Sequence, residues 1–243
     1  MDKSLGDYGR DRDRPDLPAT SRLSPHLHFG EISPRQIHAA VNLHAGLDSM
    51  LASDTEKFMS EVGWREFSHH LLYHFPTMAT ENWRSAFKAY PWRNAPQELA
   101  AWQCGQTGYP FVDAGLRQLW KTGFMHNRVR MIVASFLTKH LLVDWRWGEA
   151  YFARKLIDFE LAANNGGWQW SASTGVDAAP YFRIFNPITQ SEKFDKKGDF
   201  IRKWVPEISS VKNIHNPSTD ERNNLGYSNH LVDLKESRKK AIE

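Results

Sequence analysis

The stretch PFVDAGLRQLWKTGFMHNRVRMIVASFLTKHLL, residues 110–142, decides the fold class. Pro110 suits the first position of a helix, where its missing N–H would have no partner and its fixed φ is already helical. Gly123 supplies the left-handed residue that stops such a helix. From about His126 to Leu142 the side chains of Val129, Ile132, Val133, Phe136 and Leu137 share one apolar face. Two helices follow one another with no alternating run between them, and the chain reads as all-α.

The same punctuation extends outward. Ser33-Pro34 caps and opens a helix running to about Ala45-Gly46. From Asp54 to Phe75, apolar Phe58, Val62, Phe67, Leu71 and Phe75 recur at helical intervals until Pro76 ends the run. A further helix is expected over Trp147 to Ile157. Ser171 to Phe194 reads as irregular, broken by Gly175, Pro180 and Pro187. No alternating run long enough for a sheet occurs, so long ordered loops join the helices. The expected organisation is an extended strap without a helix at 1–19, a helical domain at 20–210, and a polar, helical tail at 211–243 packed on that domain.

Bulk properties narrow the function classes. No stretch approaches the roughly 20 apolar residues that a membrane span requires. Residues 1–18 are charged and lack the apolar run of a secretory signal. The single cysteine, Cys104, excludes an internal disulfide and fits a reducing compartment, so a cytoplasmic protein is expected. A net charge of +3 permits nucleic-acid binding without arguing for it. Ten tryptophans in 243 residues exceed what packing alone recruits, so each position deserves its own reading.

Four stretches carry chemistry. Thr20-Ser21-Arg22-Leu23-Ser24 is hydroxyl-rich and precedes a helix; it could cradle phosphate, although an ordinary capping loop is the simpler account of these residues alone. Trp64-Arg65-Glu66 follows Glu61 by one turn. Either Trp64 is core and Glu61–Arg65 is a surface ion pair, or Glu61 and Trp64 line a cavity together. In His126-Asn127-Arg128-Val129-Arg130-Met131, Arg128 and Arg130 point to different sides, one able to meet DNA phosphate and the other an internal acid. A basic helix lying against nucleic acid would explain the same residues. DFELAANNGGWQW, residues 158–170, holds two acids, Gly166-Gly167 and two tryptophans, which is the strongest local signal for a flat cofactor. His70 and His74 have a zinc-capable spacing but lack partner ligands, so they read as structural and no metal is expected. Cys104 has no evident catalytic neighbour.

Together these segments resemble the photolyase/cryptochrome family, within it the microbial class I cyclobutane pyrimidine dimer photolyases. The resemblance runs from Tyr8 to Pro206 through TSRLSPHLHFGEISPR, EVGWREF, GYPFVDAGLRQLWKTGFMHNRVRM, LAANNGGWQWSASTG and DAAPYFRIFNPITQSEKFD. It implies a helical FAD-binding domain and a light-dependent repair lyase acting on DNA that contains pyrimidine dimers, with FAD active as FADH⁻. A cryptochrome-like photoreceptor is the rival reading, and a remnant that no longer holds flavin is a third. Tyr8, Thr20, Ser21, Arg22, Leu23 and Ser24 match positions that hold the FAD phosphates and ribityl chain. Arg130 and Asp158 match an ion pair beside the flavin ring, and Glu160 matches a second acidic contact. Asn164 matches the residue facing flavin N5. Glu61, Trp64, Asn127, Met131 and Trp170 match the pocket for the flipped dimer, flanked by Arg65 and Arg128. Arg12, Arg183 and Gln190 match residues near DNA. Trp168, Trp145 and Trp92 match a tryptophan electron relay.

Met131 cannot transfer a proton, whereas relatives acting on (6-4) photoproducts place a histidine there, so the cyclobutane lesion is implied. Phe159 and Glu160 depart from the family's Asp-Gly-Asp, with Phe159 expected to add bulk near the flavin. Nothing in this sequence matches the family's N-terminal antenna domain. No antenna chromophore is therefore expected on this chain, and a separate antenna domain or chain is the implied partner. A monomer is expected, bacterial and nucleoid-associated during repair.

Overall fold

Most expected helix boundaries recur in the computed structural model, which describes residues 5–47 and 51–243. Residues 1–4 of the expected strap lie outside the described residues. Among the described residues every regular element is helical. Pro110–Thr122 is a helix that Gly123 ends in the left-handed conformation, φ 69°, with its N–H donating to the Leu119 carbonyl at 2.8 Å. Pro34–Leu47 begins after Ser33, whose hydroxyl accepts from the Gln36 N–H at 3.3 Å while the Gln36 side chain accepts from the Ser33 N–H at 2.9 Å. This reciprocal cap satisfies two donors that a helix start leaves free. The long helix spans Ala52–His74.

Four boundaries differ from expectation. The strap carries a helical turn of its own, Tyr8–Asp11. Tertiary contacts explain it: the Gly9 N–H donates to Asp54 at 2.5 Å, and the Tyr8 ring meets Phe58 edge-on at 5.2 Å. The helix expected over Trp147–Ile157 occupies Trp145–Lys155, because Asp144 caps it by accepting from the Arg146 N–H at 3.0 Å. Pro187–Phe194, expected as irregular, is a helix capped by Asn186. The segment after His126 is α-helical over Asn127–Ser135 and widens into a π turn at Phe136–His140.

Two apolar clusters form. The larger holds the Pro110–Thr122, Asn127–Ser135 and Trp145–Lys155 helices around Trp102, which is fully buried. Trp102 donates to the Val133 carbonyl at 3.2 Å and packs against Tyr151, Phe152 and Trp168. Such a donor bond lets a buried indole keep its apolar gain without an orphaned N–H. The smaller cluster, Tyr8, Ile37, Val41 and Phe58, joins the strap to the Pro34–Leu47 and Ala52–His74 helices. The Leu161–Ala172 helix packs on Ala52–His74, Asn127–Ser135 and Trp145–Lys155 and so lies between the clusters.

The polar tail is fastened to this body. Its helices are Thr219–Leu225 and Leu234–Ile242. Between them, the Tyr227 hydroxyl donates to buried Asp113 at 2.5 Å, and Tyr109 donates to the Val232 carbonyl at 2.7 Å. Among the described residues no helix is long and apolar enough to cross a membrane.

Candidate functional site

Between the two clusters lies a cavity of about 640 Å³, within the range of pockets that hold cofactor-sized ligands. The Leu161–Ala172 helix forms one wall. Glu160 caps its start, accepting from the Ala162 and Ala163 N–H groups at 3.0 and 2.8 Å, and lies 3.3 Å from His69 Nε2. Along this wall Gly166 and Gly167 both line the cavity. A Cβ on Gly167 would meet nothing within 4 Å, and one on Gly166 would meet only the Ser68 hydroxyl at 3.5 Å. Internal packing therefore does not require these glycines. They leave a strip of bare backbone against which a flat group can lie.

The opposite side is polar at its entrance. Arg22 has φ 54°, an uncommon conformation for a residue with a side chain, and Leu23 follows in the right-handed region, φ −78° and ψ −9°. Left-then-right backbone of this kind turns successive N–H groups into one concavity, an anion nest. Thr20, Ser21 and Ser24 add hydroxyls along the same lining. The phosphate reading of this loop, second choice on residues alone, gains a geometric basis.

Deeper in, Arg130 Nη2 donates to both oxygens of buried Asp158 at 3.0 and 2.8 Å, and its Nε donates to the Met125 carbonyl at 2.7 Å. Tyr8, Arg130, Asp158 and Glu160 line the cavity. So do Glu61, Trp64, Arg65, Asn127, Met131 and Trp170, the expected lesion-pocket residues. One cavity thus holds residues of both expected sets.

Several residues are disposed otherwise. Phe159 packs against the larger core and does not line the cavity, so its bulk is directed away from it. Asn164 is also outside the lining; its amide donates to Glu149 Oε1 at 3.1 Å. Burial raises the Glu149 pKa, partly offset by that hydrogen bond from Asn164. The local ion pair considered for Glu61 and Arg65 does not form: Glu61 pairs with Arg12 and Arg65 with Glu66. Arg128 pairs with Asp13 at 2.6 Å and lies over Phe194, so it is engaged inside the chain and does not line the cavity. Arg183 and Gln190 are outside the lining too, although the Arg183 guanidinium sits 5.9 Å from the Trp170 ring centroid. Trp168 and Trp145 are buried and Trp92 is half-buried. Trp145 Nε1 donates to Asn82 at 2.8 Å, and Asn82 shares a surface recess with Trp92.

Sequence reading missed Gln169, Glu149, Phe124 and His126. Gln169 donates to the Met78 and Glu81 carbonyls at 2.8 and 3.0 Å and accepts from the Trp83 N–H at 2.9 Å, holding residues 78–83 against the cavity wall. A polar residue between two tryptophans was its available signal. Phe124 lies under both Arg22 and Arg130. His126 caps the Asn127–Ser135 helix by accepting from the Arg128 N–H at 3.2 Å, which places its proton on Nε2; that buried atom has no hydrogen-bond partner. Burial pushes the His126 pKa down to about 4, against smaller opposing effects of Asp13 and the Arg12 carbonyl.

This has a testable consequence. The unfolded chain protonates His126 below its ordinary value of 6.5, whereas the folded chain does so only near 4. Stability is therefore present above 6.5 and lost as pH falls towards 4, by about 3 kcal/mol. His126→Asn keeps a capping acceptor and should flatten that acid slope in urea unfolding free energies; an unchanged slope would reject the assignment.

The sequence profile of the FAD binding domain of DNA photolyase matches residues 58–243. The deoxyribodipyrimidine photo-lyase of Agrobacterium fabrum is 53% identical over 220 residues, covering 89% of this chain and 45% of that protein. The Escherichia coli protein of the same name is 49% identical over 244 residues, covering 96% of this chain and 50% of that protein. Among solved structures, a bacterial class III photolyase from Agrobacterium tumefaciens superposes with TM-score 0.93 at 47% identity, covering 98% of this chain and 52% of that one. A Synechocystis cryptochrome gives 0.90 at 34% identity, covering 98% and 52%. The chain spans about half the length of the curated relatives it matches.

Proposed function

The chain belongs to the DNA photolyase family through its FAD-binding domain, and on that premise we propose that it is a light-dependent lyase that splits cyclobutane pyrimidine dimers in DNA. The observation that carries this reading is the single cavity in which a backbone anion nest, a glycine strip and two tryptophan faces, Trp64 and Trp170, all meet.

The residues fit FAD. The nest at Arg22-Leu23 and the hydroxyls of Thr20, Ser21 and Ser24 would hold its phosphates, and the Gly166-Gly167 backbone would take the flat ring beside Arg130 and Asp158. When bound in reduced form, FAD supplies a light-driven electron to the dimer and takes it back after the ring opens. Everything else falls to the protein. Photolyases are established base flippers, and a lesion with weakened stacking is cheaper to extrude than an intact pair. Trp64, half exposed, and Trp170 offer π faces to the extruded bases. Glu61 and Asn127 offer hydrogen-bonding groups to their edges. Arg12 is tied to Glu61 in this structure, so it orients that carboxylate as well as adding positive charge near the strand. Exposed Arg183, lying over Trp170, is the better placed of the cations for phosphate.

Trp168, Trp145 and Trp92 run from buried to half-buried positions, as a relay delivering electrons from the surface requires. Glu149, with its raised pKa, holds the Asn164 amide in a fixed orientation near the flavin wall.

The test reconstitutes the chain with FAD, reduces it chemically and illuminates it with a dimer-containing oligonucleotide. Repair is expected, and no repair beside an active full-length relative would overturn the proposal in favour of a flavin photoreceptor. In the same assay, Trp92→Phe should slow photoreduction of oxidised flavin at least tenfold yet spare repair by prereduced protein. Loss of both would mean that Trp92 is not confined to the relay.

A further inference from the structure

We infer that His140 and the C-terminal helix Leu234–Ile242 act as a positioning brace for the Arg183–Phe185 stretch that packs on cavity-lining Trp170, setting how firmly that side of the cavity is held for a ligand. His140 ends the π turn Phe136–His140 and is buried, 3% exposed. Its ring touches two segments far apart in sequence. Nε2 lies 3.0 Å from the Phe185 carbonyl, and Nδ1 lies 2.8 Å from the Ser237 hydroxyl. A carbonyl can only accept, so Nε2 carries the proton and Nδ1 must accept from Ser237. Burial, which lowers the His140 pKa, keeps the ring in this neutral form. Ser237 thereby fixes the tautomer that lets His140 hold Phe185.

Phe185 is the point where this matters. Its ring stacks on Trp170 at 6.4 Å and 25°, and the Arg183 guanidinium spans both rings, 5.9 Å from Trp170 and 5.4 Å from Phe185. Lys139, Arg84 and Gln169 hold residues 173–175 in place, but residues 176–186 are otherwise loosely tied to the body. The Ala179 N–H donates to the Trp170 carbonyl at 3.1 Å, and the Phe185 N–H reaches the Ser135 hydroxyl at 3.5 Å, a long contact. Exposed Tyr181 and Phe182 make no apolar anchor. The bond from His140 is therefore the shorter of the two polar restraints on Phe185, and it originates in a helix that does not line the cavity. Losing it would leave a buried carbonyl unpaired as well as freeing the loop. Only the DNA readout below rests on the proposed lesion pocket; the order of the loop does not.

The experiment measures amide hydrogen exchange at Ala179 and Phe185, and binding of a dimer-containing oligonucleotide, in FAD-reconstituted protein. His140→Gln can place an amide N–H near the position of Nε2, whereas His140→Asn can reach only towards Ser237. His140→Asn and His140→Ala should speed exchange at both amides about tenfold and weaken oligonucleotide binding several-fold, with flavin content unchanged. His140→Gln should restore both, and Ser237→Ala, the mildest change, should fall between. Equal exchange in the Gln and Asn variants, or no change in Ser237→Ala, would overturn the brace. If exchange responds as expected while the wild-type protein binds no dimer, the brace stands and the repair reading fails.

Discussion

Arg130→Met will destabilise the protein by about 3–5 kcal/mol and abolish its retention of flavin. The stability loss follows from what remains: the Asp158 carboxylate is 2% exposed, and both its oxygens accept from the one guanidinium. Removing one member of a buried pair leaves an uncompensated charge, which costs far more than the pair itself contributes. Methionine keeps much of the arginine's aliphatic stem and removes the guanidinium that sits 5.8 Å from the Phe124 ring centroid, so the loss reports on the cation more than on packing. Urea unfolding gives the first number and flavin absorbance after gel filtration gives the second. Arg130→Met with Asp158→Leu separates the two roles, because replacing both partners should recover much of the stability without recovering flavin. A double variant that retained flavin normally would remove this pair from the proposed cofactor site. A single variant of wild-type stability would show that the carboxylate is solvated.

The second large effect is expected at Gly148. A Cβ there would lie 2.1 Å from Trp168 Cη2, 2.4 Å from Cζ3 and 2.7 Å from Leu137 Cδ2. None of these contacts can relax cheaply, since the indole is itself packed edge-on against Trp102 and Phe152 at 6.1 and 5.0 Å. Gly148→Ala must either rotate Trp168 or lift the Trp145–Lys155 helix from the Leu161–Ala172 helix. Overpacking of a dense core costs about 1–3 kcal/mol, and the upper end is expected here. Because the displaced group is the inner member of the proposed relay, flavin photoreduction should slow along with the fall in thermal stability. Trp168→Phe removes the atoms that would clash. The double variant should therefore be more stable than the two single losses predict, a non-additivity read from thermal unfolding. Simple additivity would mean that the helix pair opens elsewhere.

What the sequence determined by itself was the helical character of the chain and, through its motifs, about half of the residues around the cavity. Pro110, Gly123 and the Ser33 cap act within a turn of where they stand, so local chemistry is enough to place them. The resemblance carried by the motifs named residues of both expected sets among those that line the cavity, while Asn164, Phe159 and Arg128 fall outside it. The tertiary structure decided which groups meet. Glu61 can reach Arg65 along its own helix, yet it pairs with Arg12, 49 residues away. Arg128 turns to Asp13, and Asn164 to Glu149 on a neighbouring helix. The helical turn at Tyr8–Asp11 forms because Asp54 and Phe58 receive it, and four residues could not hold a helix unaided. The Ser237–His140–Phe185 link likewise joins positions that sequence spacing cannot relate. The reason is common to all of these. Backbone preference is set by near neighbours, whereas choosing among side-chain rotamers costs little locally, so partners brought by folding make the choice.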